Sequence, residues 1–566
     1  MNLLSLRFVR TGFLILICCL VMATRTEGQW VWARNAITAG SNLYGGISAV
    51  SANGAIYMTG QLNGLSVTYG THTITDSTLQ FNVFLVKYDS AGNVVWAKGT
   101  ECAFGSKPIS ITTDLVGNVI IAGYFKGPYI RFDSFLLYNS DASGSSANMF
   151  VAKFNSAGNL LWSSAAADEA GYDETATSVC TDTWGNVFVS GNYNSPFMAF
   201  GTDTINNPWY NYGSNAVFVA KYDSLGHFLW VQNYFGKRNG GGSVGGSATD
   251  AAGSFYLTGT FNDSSFTFGT TVLTNPNIYL NAVFLTKIDS AGNVKWVKGA
   301  NSVDGVTGNS VATDHFGHVY LGGTFNSSFY VDFGLGHLTT GSMYLVKYDT
   351  SGTPIWNKGA GTRGATSVAT DGSGNIFVSG TFSPGSVTLG TYTITDTSTN
   401  FYADMFIVKY DSTGNVLWAD GVGGYYDMNP ASVNTYGHDV YVSGWSGCPY
   451  LNFGTVSLVN TSDHYDTYLA KLRIETTLGT GQVSNTARKP TISPNPNTGE
   501  MTVRLCRESY NTITICDLLG KMIYSTTISN GERSLQIDLR EYANGVYFLS
   551  AASEKGLDTV PFVICR

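Results

Sequence analysis

Of the 566 residues, 43% are hydrophobic and 13% aromatic, ample material for a packed core, so a globally disordered chain is excluded. A formal charge of −8 leaves no basic surplus to neutralise a phosphate backbone, which sets nucleic acid aside as a partner. Only 12% of residues are charged while 66 are glycine, a balance that fits short strands and tight turns better than charged helices.

At the N-terminus Arg7 and Arg10 precede an apolar run from Thr11 to Ala23, shorter than the about 20 residues a membrane span needs. The segment reads as a secretory signal peptide occupying residues 1–28, cleaved between Ala23 and Gln29, with a retained anchor as the alternative. Ile17 stands before Cys18 where a lipoprotein signal needs a small residue, which argues against lipidation. No later segment is apolar enough to cross a bilayer, so no transmembrane span is expected in the mature chain.

One phrase then recurs six times, from VFLVKYDSAGNVVW (Val83 to Trp96) to MFIVKYDSTGNVLW (Met405 to Trp418). The closing tryptophans are Trp96, Trp162, Trp230, Trp296, Trp356 and Trp418, spaced by 60 to 68 residues. Between them lies a second phrase, SITTDLVGNVIIAG (Ser110 to Gly123) through SVATDGSGNIFVSG (Ser367 to Gly380), with weaker copies from Ser48 and Ser432. Each phrase is a β-hairpin: an Asp-x-x-Gly-Asn turn separates two runs of alternating β-branched and aromatic residues. Two hairpins per period make four strands, a to d. Across the c–d turn Val86 is expected to face Trp96. That places Phe84, Val86, Tyr88, Val94 and Trp96 on one face, and Leu85, Val95 and Ala97 around Lys87 on the other.

Sheets apolar on both faces must be covered on both, which radial stacking achieves. The expectation is an all-β fold, a seven-bladed β-propeller over residues 29–474. The seventh unit lacks its tryptophan strand, and the missing piece stands at the N-terminus as QWVWARNA, containing Trp32. Strand d of the last blade is therefore expected from the other end of the chain, closing the ring. These phrases resemble the β-propeller repeat family of bacterial secreted proteins, a likeness that implies a fold and no particular reaction.

Residues 475–490 lack hydrophobic periodicity and read as a linker. Residues 491–566 show short alternating strands, expected to form a small antiparallel β-sandwich. Their motifs are Ser493-Pro494-Asn495-Pro496, then Asn497-Thr498-Gly499, Asp517-Leu518-Leu519-Gly520 and Asn544-Gly545-Val546-Tyr547. They resemble the C-terminal sorting domain of the type IX secretion system of the Bacteroidetes lineage, with Pro561 near the place where that family usually carries a lysine. The resemblance implies Sec export, recognition by the type IX machinery, and release or attachment at the outer-membrane surface.

Chemistry is sparse. His315 and His318 sit in an Asp-x-x-Gly turn, where His318 replaces the usual Asn, and each such turn offers one carboxylate where calcium needs six to eight oxygens. Cysteine spacing matches no zinc pattern. No metal, cofactor or catalytic constellation is assigned. The sialidase aspartate box does not fit either, because Trp96 follows Gly92 by four residues rather than three. Seven strand-c lysines (Lys87, Lys153, Lys221, Lys287, Lys347, Lys409 and Lys471) read as packing elements whose heads pair with nearby carboxylates.

The a–b and c–d turns are short and lie at one end of each sheet. The d–a and b–c connections are long, variable, and lie at the other, where binding normally sits. Candidate residues there are Asp168, Glu169, Asp173 and Glu174; Trp209, Tyr210 and Tyr212; Lys237 and Arg238; and Tyr425, Tyr426 and Asp427. The leading expectation is a secreted or surface-attached binding or adhesion module for a glycan or protein ligand. An extracellular carbohydrate-active enzyme using the paired carboxylates, and a structural surface protein without a dedicated ligand, are the alternatives.

Overall fold

The computed structural model describes residues 26–476 and 490–565, apart from positions 39, 142, 169–170, 238–239, 276, 303, 327, 340, 383–384, 397–401, 461–463, 496, 506–509, 518–521, 530–532 and 554–555. Residues 1–25 of the signal segment, most of the linker, and the candidates Glu169, Arg238, Pro496 and Gly520 lie outside the described residues. Two compact units divide between Leu478 and Gly479.

Seven four-stranded antiparallel sheets, I to VII, make up the first unit. Sheet I runs a (Asn42–Val50), b (Ile56–Asn63), c (Phe81–Tyr88) and d (Val94–Gly99). The a strands of sheets II to VI are Ser106–Thr113, Glu174–Thr181, Gly242–Thr249, Val306–Thr313 and Gly364–Thr370. Sheet VII joins Met428–Tyr436, Asp439–Ser446 and Asp466–Thr476 to the N-terminal strand Thr26–Asn35, which takes position d. That strand starts upstream of Gln29, so the blade material reaches into residues assigned above to the signal segment.

The turn recipe works as its residues dictate. Asp89 Oδ1 accepts the N–H groups of Ala91 and Asn93, its Oδ2 takes the Asn93 amide, and Gly92 supplies φ 80°.

The register differs from the expectation by one residue. Lys87, not Val86, faces Trp96, because Val95 forms a bulge between the pairs Lys87–Trp96 and Tyr88–Val94. The same shift occurs in each of sheets II to VI, and between Trp30 and Trp32 in sheet VII. Lysine and tryptophan therefore share a face and reach the next sheet together. Lys87 Nζ and Trp96 Nε1 both donate to Ser156 O, at 2.7 and 3.2 Å. Lys153 with Trp162, Lys221 with Trp230, and Lys347 with Trp356 converge in the same way on Ser224, Ser290 and Ser412. Each indole also lies on a glycine of the next sheet. Trp32 covers Gly92, Trp96 Gly158, Trp162 Gly226, Trp230 Gly292, Trp296 Gly352 and Trp356 Gly414, while Trp418 covers Gly28, so that any Cβ there would press into the ring.

The b–c connections are not plain loops. Each carries a short hairpin, such as Ser66–Tyr69 with His72–Thr75 or Phe197–Phe200 with Asp203–Asn206. Their sequences form a third repeated phrase: VTYGTHTIT from Val67, MAFGTDTIN from Met198, VTLGTYTIT from Val387 and LNFGTVSLV from Leu451. The residue before each turn (Tyr69, Phe132, Phe200, Phe268, Phe333, Leu389 and Phe453) is buried and anchors its hairpin.

Each strand a touches the a strands on either side, and that of sheet I meets that of sheet VII through Ser48 and Ser432. Threonine hydroxyls lace them in series: Thr113 donates to Val50 O, Thr181 to Thr113 O, Thr249 to Thr181 O, Thr313 to Thr249 O, Thr370 to Thr313 O and Thr435 to Thr370 O. All seven strands line one cavity of about 690 Å³.

The second unit has a three-stranded sheet (Thr491–Ser493, Glu500–Arg504, Ser534–Asp538) and a four-stranded one (Tyr510–Asp517, Met522–Thr527, Gly545–Ser553, Gly556–Ile564). They share a core containing Met501, Val503, Ile513, Ile515, Leu549 and Phe562.

The repeat tryptophans of sheets I to V are half-buried, so truncation costs less than at a sealed core site. Trp230→Ala is expected to lose about 2–3 kcal/mol, from removed ring contacts and the bond to Ser290, and Trp209→Ala under ~0.5 kcal/mol. Denaturant melts of the two variants check the difference.

Candidate functional site

The sequence-based candidates separate into three groups. Tyr425 and Tyr426, 58% and 41% exposed, meet edge to face at 4.9 Å. With Asn42, Gly447, Pro449, His464 and Tyr465 they line a recess of about 580 Å³. Aromatic rings continue from both walls. Tyr426 meets Tyr402 at 5.4 Å, and Tyr465 meets Trp445 at 5.1 Å and Tyr44 at 5.4 Å. Such rings offer flat apolar faces with hydroxyl and indole N–H groups at their edges. Among the described residues lining the recess, none carries a fixed charge.

The loop carrying the tyrosine pair is pinned from behind. Gly424 N–H donates to Asp404 Oδ1 and Tyr426 N–H to Cys448 Sγ; Ser446 Oγ donates to Asp427 O; Ala403 N–H donates to Asp427 Oδ1. At the next junction Tyr465 N–H donates to Asn42 Oδ1 in the same fashion. The long sequence between the second phrase and strand c hid Tyr465, His464 and Asn42. Recognising the third phrase would have ended the hairpin at Val459 and left His464 and Tyr465 beside strand c.

Trp209, Tyr210 and Tyr212 form a separate group. They occupy a 3₁₀ turn over Tyr210–Tyr212 in sheet III, with Trp209 against Tyr212 at 6.2 Å and Tyr210 edge-on to Tyr172 at 6.0 Å. Lys237 is held through its N–H by Asp263.

The carboxylates form the third group. Asp173 is exposed and accepts the Ala147 N–H at 2.7 Å. Asp168 and Glu174 lie together. Burial, then contact with Asp168, pushes Glu174 well above the usual carboxylic-acid range, and burial also raises Asp168. Glu174 is wholly buried, and neither of its oxygens accepts a hydrogen bond from a donor group. Burial pushes Asp404 up to about 7, helped by its contact with Asp396, and Asp466 up to about 7.

The seven-copy lysines act structurally where their contacts are seen. Lys153 pairs with Asp114 at 3.0 Å and Lys471 with Asp439 at 2.7 Å. His318 Nδ1 lies 2.8 Å from Asp314 Oδ2, a turn role.

In the second unit the motif residues join chain ends. Val563 N–H donates to Asn495 Oδ1, Cys565 N–H to Asn497 O, and Asn497 N–H to Val563 O. Pro494 is exposed beside them. Gly499 adopts φ 101°, and a Cβ there would meet the Arg540 backbone at 2.9 Å. Gly545 opens its strand, and Tyr547 stacks on Phe562 while its hydroxyl donates to Ala543 O.

Residues 491–565 match the family described as the secretion system C-terminal sorting domain. The protein is exported through type IX secretion to the cell surface or extracellular space, and its sorting domain engages that machinery. No helix of the described residues is long and apolar enough to cross a membrane. The chain is 27% identical over 499 residues to the uncharacterized WD repeat-containing protein L264 of Acanthamoeba polyphaga mimivirus, over 71% of this chain and 34% of that protein's length. It thus spans about a third of the curated relative it matches. Among solved structures it is similar to a protein of unknown function from Dyadobacter fermentans (10% identity, 79% of this chain, 99% of that one, TM-score 0.36). The Dos1 propeller is another (9% identity, 78% and 95%, TM-score 0.34).

Two outcomes follow from this geometry. Unfolded, Asp titrates near 3.9 and Glu near 4.3, so Asp404, Asp466 and Glu174 hold protons more tightly when folded. For Asp404 and Asp466 that stabilisation is complete below about pH 4 and is lost as pH rises through about 7; for Glu174, held higher still, the loss continues above that. Thermal melts are expected to show a melting temperature that falls from about pH 4 to about pH 7, with Asp404→Asn removing part of the fall. Separately, truncation after Leu478 removes the whole second unit and its own core. The shortened chain should melt as a folded protein yet remain in the periplasm, as cell fractionation and protease shaving would show.

Proposed function

We propose that the protein is a secreted or surface-attached seven-bladed β-propeller, closed by its N-terminal strand, that binds an extracellular ligand in the Tyr425–Tyr426 recess. The observation carrying the binding assignment is that recess: aromatic walls, no fixed charge among its described lining residues, and about 580 Å³, within the ~300–1,000 Å³ range of small-ligand sites. Seven blades are supported by seven like sheets whose a strands touch in a cycle, and by tryptophan–glycine contacts that return from Trp418 to Gly28. Under this reading the signal peptide ends before Gly28, since that glycine serves the last blade, and a linker precedes Thr491.

A neutral glycan fits the recess best. Sugar rings present C–H faces to aromatic rings and hydroxyls to groups such as Asn42 and His464. A carbohydrate-active enzyme would need opposed carboxylates open to substrate. Glu174 is sealed instead, and the aspartates that reach the cavity walled by the a strands, Asp182, Asp250 and Asp314, are buried against Lys221, Lys287 and His318. A glycan array probed with the exported protein should show binding that Tyr425→Ala with Tyr426→Ala lowers at least ~10-fold, about 1.4 kcal/mol, and that Trp209→Ala leaves unchanged. Equal binding by the double variant would remove the recess from consideration.

A further inference from the structure

The repeat supplies its own control for one buried group. Glu174 stands opposite Tyr193, the last residue of strand b in sheet III (Val187–Tyr193). At the same register place Leu43 faces Leu62 in sheet I, and Ser106 faces Phe125 in sheet II. Gly242 faces Phe261 in sheet IV, Val306 faces Phe325 in sheet V, and Met428 faces Ser446 in sheet VII. Every one of these residues on strand a is buried. Packing there is met by an apolar or small side chain, so a carboxylate at Glu174 answers no need of the fold and carries the cost of burying a polar group.

That cost is not offset by hydrogen bonds. At the junction of sheets II and III four side-chain oxygens receive no donor: Oε1 and Oε2 of Glu174, Oδ1 of Asp168 and Oδ1 of Asn148. Glu174 is 0% exposed and Asn148 1%. Backbone contacts bring the three residues together. Glu174 N–H donates to Ala147 O at 2.8 Å, and Asn148 Nδ2 donates to Ala166 O at 3.0 Å, two residues before Asp168. The carboxyl groups of Asp168 and Glu174 touch. Ser195 lies against Glu174 but spends its hydroxyl hydrogen on Phe197 O. Among the described residues no lysine or arginine pairs with either carboxylate, and Lys126 lies 3.9 Å from Asp173 instead.

We propose that Glu174, Asp168 and Asn148 bind a calcium ion between sheets II and III. The donors are hard oxygens, which suit calcium or magnesium rather than zinc, whose sites draw on nitrogen and sulfur. No third acid, histidine or cysteine of the described residues joins the pair, so amide, hydroxyl and water oxygens supply the rest of the shell. Calcium takes six to eight oxygens in flexible geometry, whereas magnesium holds to an octahedron and keeps several waters, which a sealed glutamate disfavours. Half-buried Asp168 gives the ion and its waters their way in. Without the ion the pair retains a proton, Glu174 being raised by burial and then by Asp168, with Asp141 and Asp173 the further acids facing the two. Calcium displaces that proton: one H⁺ leaves, and two carboxylate charges balance the two of the ion.

Titration calorimetry of the full exported chain, stripped with EDTA, tests the assignment with calcium chloride and magnesium chloride in two buffers of different protonation enthalpy. Calcium is expected to bind with a Kd of about 10⁻⁴–10⁻³ M, the range of extracellular calcium modules. Binding should release about one proton, and magnesium should bind at least ~10-fold more weakly. Glu174→Leu, which installs the residue type sheet I carries at this place, is expected to fold and to abolish calcium binding. Asp168→Asn, at a half-buried position, keeps the test decisive should the first variant fail to fold. It should lower calcium affinity at least ~10-fold with an unchanged circular dichroism spectrum. The proposal is overturned if calcium does not bind, if it binds without releasing a proton, if magnesium binds as tightly, or if either variant folds and binds calcium like the parent.

Discussion

In sheets I, II, III and V a lysine from strand c and a tryptophan from strand d reach the same backbone carbonyl of the neighbouring sheet, and the packing of the first unit leans on that junction. A buried ammonium is costly unless it is paired and hydrogen-bonded. Here the carbonyl, a turn aspartate and an aromatic face satisfy it, as for Lys221 with Ser290, Asp182 and Phe188. The tryptophan adds ring area against a turn glycine at positive φ, where an added Cβ would meet the ring at 2.6 to 3.3 Å. One contact thus sets the distance between sheets, the identity of the turn residue and the bulge that brings lysine and tryptophan to one face.

Much of this was legible because the chain repeats itself. The a–b and c–d hairpins, four strands per unit and the N-terminal strand in the last sheet follow from repeated Asp-x-x-Gly turns and from the position of Trp32. Three features were not legible for physical reasons. Alternation alone gives the wrong partner for Trp96, since a bulge adds one residue and leaves no mark in the hydrophobic pattern. The b–c hairpins are only four residues per strand, and their Thr-rich phrase reads as polar loop. The recess joins Asn42 to Tyr425 and Tyr465, a proximity set by the meeting of sheets I and VII rather than by local sequence.

The candidate groups divide by what surrounds them. Glu174 and Asp404 are each buried beside a second carboxylate, and burial raises both above the usual carboxylic-acid range. Tyr425 and Tyr426 remain exposed because the turn that presents them spends its polar groups behind, on Asp404, Cys448 and Ser446.

The Tyr425–Tyr426 recess falls where the repeat is broken. Sheet VII is built from both ends of the first unit, and it cannot copy every feature of its neighbours. On one side it lacks a c–d turn; on the other it brings His464 and Tyr465 against Asn42, the first residue of sheet I. Bringing the two ends of the first unit into one sheet therefore does more than tie off edge strands. It creates the irregular ground on which binding chemistry distinct from the repeat can be placed.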